Sequence, residues 1–161
     1  MKTSTFLSLG ALVALSAIST ASAQTATQTV TFQVSAINQV AVTGAPSLVI
    51  NAAAAGSAPT SVTAAGNTWS VTTNQSGAMI TASIPSAMPA GLTLSANLVA
   101  PAGATSTGLT ALGTTAVNVV TGITKLNAAA LGLTYQLDAT AAAGVVGSAT
   151  RVVTYTITGG V

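Results

Sequence analysis

Apolar and small polar residues alternate along most of this chain, and that two-residue period decides what it can fold into. From Gln28 to Ile37, Val30, Phe32 and Val34 share one parity while Thr29, Thr31 and Gln33 share the other. Successive side chains of an extended strand point to opposite faces, so the pattern predicts a strand with one face buried. Val40 and Val42 continue the parity until Gly44-Ala45-Pro46 breaks it as a turn. Leu48-Val49-Ile50 reads as a short buried run, and Ala52 to Thr60 as a loop of small residues.

Trp69, Val71 and Thr73 form the next alternating set, and Ile80, Ala82 and Ile84 the one after it. Asn74-Gln75-Ser76-Gly77 between them fits a type I turn, so residues 67–84 are expected to form a hairpin. Leu92, Leu94, Ala96 and Leu98 alternate again, Gly103 to Gly108 resembles a flexible linker, and Val117 and Val119 mark a further strand ended by Gly122. Leu126 to Leu131 has the best helical composition of the chain, and Gly132 limits it to about one turn. Leu133, Tyr135 and Leu137 match Val153, Tyr155 and Ile157 as a second hairpin around Ala141–Ser148. About eight or nine strands at this spacing predict one all-β domain, an antiparallel β-sandwich of immunoglobulin-like or jelly-roll type.

Composition then restricts the chemistry. Charged residues make up 2% of the chain, and His and Cys are absent. Residues 1–23 read as a secretory signal, with Lys2 as the positive end, an apolar stretch from Phe6 to Ile18 and a cleavage site at Ala21-Ser22-Ala23. Removal of that segment leaves Lys125, Asp138 and Arg151 as the charged side chains. Acid–base catalysis, nucleophilic catalysis and metal binding draw on residue types that are missing, so no enzyme, cofactor or metal is expected. Nucleic acid needs clustered Lys and Arg and is excluded as a partner. No second apolar segment is long enough to span a membrane. The expected location is outside the cell or at its surface, with the periplasm as a place of transit.

Each remaining candidate site has a plain structural explanation beside it. Asp138 and Arg151 flank the last turn, but strand parity sets them on different faces, as independent charges. Lys125 could be one half of an isopeptide bond, or an ordinary exposed lysine. Asn74-Gln75-Ser76 is a glycosylation sequon and also suits its turn. Trp69 could stack on a sugar, yet its apolar parity marks it as core. A transmembrane barrel also alternates, but would need aromatic girdles and a charged lumen.

A nearly uncharged surface leaves sheet edges without the lysines and inward charges that usually guard them. The segment 24–36 alternates strictly, with no Pro, Gly or charge. It can either pair within its own domain or complete a neighbour's sheet, with Val30, Phe32, Val34 and Ile37 as the self-assembly side chains.

The leader, the alternating N-terminal strand and the closing Thr154-Tyr155-Thr156-Ile157-Thr158 resemble secreted bacterial fibre subunits that polymerise by donor-strand exchange. The chain departs from chaperone–usher pilins in lacking cysteine and in placing Tyr155 six residues from its end. It departs from type IV pilins in lacking glutamate, so cysteine-free biofilm-matrix fibres are the nearer likeness. The resemblance implies a leader at 1–23, a donor strand at 24–36 and a sandwich domain at 37–161. It also implies a homopolymer whose partners are copies of itself and, beyond those, cell-surface components. The competing expectation is a monomeric adhesin or carbohydrate-binding module.

Overall fold

The computed structural model describes residues 22–161, so the expected leader falls largely outside the described residues. Residues Val34–Val161 form one compact unit, and residues 22–33 belong to a separate one. The larger unit is an all-β sandwich of two antiparallel sheets.

The first sheet contains β1 (Asn38–Thr43), β2 (Val62–Thr73), β4 (Leu92–Leu98), β6 (Thr110–Ala111) and β8 (Leu126–Ala139). Its order is β1-β2-β8-β4-β6. The second contains β3 (Ala78–Ser83), β5 (Thr105–Ser106), β7 (Val117–Ile123) and β9 (Thr154–Thr158), in the order β5-β7-β3-β9. Between β8 and β9 a single 3₁₀ turn occupies Ala141–Ala143.

Parity places the core. Trp69 and Val71 on β2, Leu94, Ala96 and Leu98 on β4, and Leu133 and Tyr135 on β8 point inward from the first sheet. Ala78, Ile80 and Ala82 on β3, with Val119, Val120 and Ile123 on β7, meet them from the second. Trp69 is 1% exposed, and its indole N–H donates to the Val99 carbonyl at 3.1 Å. The ring thus fills the core as its parity predicts, and its one polar atom is bonded.

Both expected hairpins are corrected. β2 and β3 lie in different sheets, and so do β8 and β9. β2 pairs with β1 and β8, while β3 pairs with β7 and β9. The links at 74–77 and 140–153 are therefore arches that carry the chain across the core. Two strands that bury side chains toward one another show the same alternation whether they share a sheet or face each other. The Gly77 N–H donates to Thr124 Oγ1 instead of closing a turn on Asn74, and Gly77 takes a φ of 75°.

The helical turn expected at Leu126–Leu131 is also corrected, because these residues open β8. Leu126, Asn127 and Ala128 pair with Thr73, Thr72 and Val71. Helix propensity is a weak preference, and the ladder these residues form with β2 overrides it. The parity of β8 switches at Ala130, whose φ is 54° and whose N–H donates to Ser70 Oγ. That bulge lets both halves of a long strand face the core. The linker-like segment Gly103–Gly108 contributes β5, and Val49, expected in a buried run, is 65% exposed in irregular chain. Residues 28–37, expected as a strand, lie outside any strand, and the ladder begins at Asn38 opposite Thr73. β2 ends at Thr73, so no neighbouring strand continues past that rung.

Trp69→Ala should leave the sheets in place but cost about 3–5 kcal/mol, the usual loss for truncating a buried Trp or Phe. Denaturant unfolding followed by far-ultraviolet circular dichroism checks this. An unchanged midpoint would mean that the ring is not in the core.

Candidate self-assembly surface

The side chains singled out by pattern are exposed to solvent. Val30 is 72% exposed, Phe32 90% and Val34 79%, while Ile37 is 41% exposed. All four lie outside strands. Three large apolar side chains on one parity, with no sheet to bury them, form an unsatisfied strand face.

The base of this segment is held by a side chain that acts as a short piece of backbone. The Ile37 N–H donates to Asn74 Oδ1 at 2.8 Å, and Asn74 Nδ2 donates to the Ser35 carbonyl at 2.7 Å. The Asn74 N–H donates to the Ile37 carbonyl at 3.2 Å. A carboxamide presents the same donor and acceptor as a peptide, so Asn74 extends the β1–β2 ladder by one rung beyond Thr73. Gln75 Nε2 also donates to Asn74 Oδ1, and Thr73 Oγ1 donates to the Asn38 carboxamide oxygen. The sequon asparagine is therefore committed to the chain at 35–37. No residue-spacing rule points to this clamp, because its partners lie 37 and 39 positions apart.

Two of the four outer strands, β5 and β6, are only two residues long. Short edges offer little to pair with. The opposite side of the sandwich is different: β1 and β9 are six and five residues long, and neither carries a charge. Val42 lies opposite Trp69, and Val40 opposite Val71, so both valines point to the core side of the first sheet. Even so, Val42 is 46% exposed. On β9, Tyr155 lies opposite Ala82 and Ile157 opposite Ile80, which turns both inward, yet they stay only half-buried. β1 and β9 approach each other on this side of the sandwich, and Val40, Tyr155 and Ile157 pack against the core between them.

Tyr155 donates its hydroxyl hydrogen bond to the Tyr135 hydroxyl at 3.0 Å, from one sheet to the other. Burial pushes the phenol of Tyr155 far up, and its bond and proximity to Tyr135 add to the shift. Burial also raises Tyr135, with the bond from Tyr155 acting in the opposite direction.

The other candidates have structural roles. Asp138 accepts hydrogen bonds from Ser61 Oγ and Gln136 Nε2, and Arg151 donates to the carbonyls of Ala87 and Thr150. Asp138 on β8 and Arg151 in the last arch thus have separate partners, although the hairpin parity used to separate them does not exist in this fold. Lys125 takes a φ of 43°, and its N–H donates to the Gln75 carbonyl. A cleft of about 880 Å³ at the arch end of the sandwich is lined by Leu48, Ile50, Met88, Leu137 and Arg151, among others. Among the described residues there is no cluster of His, Cys, Asp or Glu that could hold a metal ion. None of the described helices is long and apolar enough to cross a membrane.

Comparison with family models, with curated proteins and with solved structures finds no match for this chain.

Two outcomes follow from the clamp and the tyrosine pair. Asn74→Ala removes both side-chain bonds to 35–37, and each is worth about 0.5–1.5 kcal/mol. Hydrogen exchange at Ile37 should accelerate while exchange in β3 and β7 stays slow; unchanged exchange at Ile37 would contradict the clamp. For the tyrosines, the folded state holds both phenols neutral, whereas unfolded phenols ionise near 10. Stability should therefore hold up to about pH 10 and fall as pH rises further, because the unfolded chain then loses protons that the fold retains. Tyr155→Phe should flatten that alkaline decline in melting temperature. An equally steep decline in the variant would contradict the assignment.

Proposed function

We propose that this chain is a non-catalytic, exported structural subunit that assembles with copies of itself into a fibre by β-strand addition. The observation that carries the reading is the unsatisfied strand face of Val30, Phe32 and Val34, in a segment without charge, proline or glycine. An extended segment of this kind gains affinity from backbone ladder bonds and specificity from alternate side chains. Burying each of the three is worth about 1.5–3 kcal/mol before the costs of association are subtracted. The leader-like residues 1–23 support export, and their removal would free the segment to reach a neighbour. The scarcity of acids and bases supports a role without catalysis.

A carbohydrate-binding module would place aromatic rings at its surface. Trp69 and Tyr135 are buried, and Tyr155 is half-buried with its hydroxyl bonded to Tyr135. Phe32 is the exposed ring among the described residues, and it belongs to the alternating segment 28–36. The reading as a fibre subunit accounts for that ring, and a sugar platform does not.

Phe32→Asp, or removal of residues 24–36, should abolish sedimentable polymer from the mature chain. Circular dichroism should still report a folded β domain. Negative-stain microscopy and sedimentation velocity check this outcome. Outright unfolding of the truncated chain, together with an intact chain that stays monomeric when concentrated, would assign the segment to its own sheet.

A further inference from the structure

At the end of the sandwich where β8 passes into the last arch, inward-facing side chains lose their cover. Leu94 lies opposite Leu137, and Leu92 shares their face, yet Leu92 and Leu137 are only half-buried. Leu48 and Ile50 join them from the chain between β1 and β2, and Met88 from the link between β3 and β4. Together they line the cleft of about 880 Å³, within the roughly 300–1,000 Å³ of small-molecule sites. Its walls are tied by backbone. The Thr140 N–H donates to the Gly91 carbonyl at 2.9 Å, and Ala53 pairs with Pro59 as an isolated bridge. Gly91 takes a φ of 80°, and a Cβ there would lie 2.8 Å from the Ala143 nitrogen, so the arch sits directly against the start of β4.

One charge stands in this apolar surface. Arg151 is the ionised side chain among the lining residues, and its guanidinium donates to the Thr150 and Ala87 carbonyls at 2.9 and 3.2 Å. Both acceptors are neutral. Arg151 Nε is buried and has no partner. The chain's one acidic side chain, Asp138, is engaged by Ser61 and Gln136. It follows Leu137 on the strand and so takes the opposite face. A guanidinium does not lose its proton, so this cation is held partly out of water with no counter-ion among the described residues. Each Nη uses one N–H and keeps another, which suits the two oxygens of a carboxylate.

We propose that this cleft binds a single aliphatic carboxylate of the fatty-acid type, with its head on Arg151 and its chain along Leu48, Ile50, Met88, Leu92 and Leu137. The lining selects this class. It contains no aromatic ring on which a sugar or a base could stack, and no second cation for a polyanion. Its leucine, isoleucine and methionine side chains present methyl and methylene groups, and methionine adapts to a flexible chain. An uncharged wall beside one arginine favours a ligand with one charge at one end. The cleft shares no residue with segment 24–36, so the proposal stands apart from strand addition.

Calorimetric titration of the mature chain with decanoate, below its micelle concentration, tests the site. One decanoate should bind per chain and raise the melting temperature. Acetate should not bind, and decanol should bind at least about tenfold more weakly, the loss of one charge-assisted contact. Arg151→Gln keeps hydrogen-bond donors without the charge and should weaken decanoate by a similar factor. Ile50→Asp sets a carboxylate in the wall at a half-buried loop position, and should also weaken it. Circular dichroism and melting verify the folds; if Arg151→Gln does not fold, Ile50→Asp carries the test. Phe32→Asp should bind decanoate as the unmodified chain does. Absence of decanoate binding overturns the proposal, as does equal affinity for decanol or unchanged affinity in the folded cleft variants. Loss of binding in Phe32→Asp overturns it too, by marking adsorption to the exposed segment 28–36. Phosphatidylglycerol vesicles should not retain the chain; retention there without decanoate binding would overturn the free acid as ligand.

Discussion

The pairing of β2 with β8 is the contact on which the rest of the sandwich depends. These are the longest strands, twelve and fourteen residues. Their ladder runs from Val62 opposite Leu137 to Thr73 opposite Leu126. β1 is added on the β2 side and β4 on the β8 side, and the inner face of β2 supplies Trp69 and Val71 to the core. A ladder this long cannot keep one face inward without adjustment, because a twisted strand drifts out of register with the sheet opposite. The register shifts between Ala64 and Asn67 and between Trp69 and Val71 make that adjustment. Gly66, at a φ of 84°, sits within the first of them.

Much of this was legible in the period-2 pattern, and the reason is physical. A half-buried strand must alternate, so the inward positions of β3 and β4 stand out as Ile80-x-Ala82 and Leu94-x-Ala96-x-Leu98. Trp69 could be placed in the core on parity alone. Strand partners were not legible. Asn74–Gly77 and Ala141–Ser148 were expected to close hairpins, yet both lie in arches between sheets. Alternation reports which way a side chain points and leaves open which strand its backbone pairs with. At Leu126–Leu131 the alanines favour helix by local propensity, and the ladder with β2 overrides them.

The candidate site was legible in its side chains and hidden in its setting. Val30, Phe32 and Val34 were picked out by alternation, and they are the exposed members of the chain's N-terminal apolar set. The clamp at Asn74 was invisible, because one carboxamide there serves chain positions far away in sequence.

The scarcity of charge ties these features together. Lysines and inward-pointing charges protect free edges in most β proteins, and this chain has neither on β1 or β9. The uncharged edges of β1 and β9 and the exposed segment 28–36 are the features on which the strand-addition proposal rests. Hydrogen exchange measured at residues 28–36 of the mature protein, dilute and then concentrated, tests that account most directly. The account predicts fast exchange in dilute solution and ladder-like protection on alternate amides after concentration, with the exchange of β3 and β7 unchanged. Protection already complete in the dilute monomer, or absent at every concentration, would contradict it.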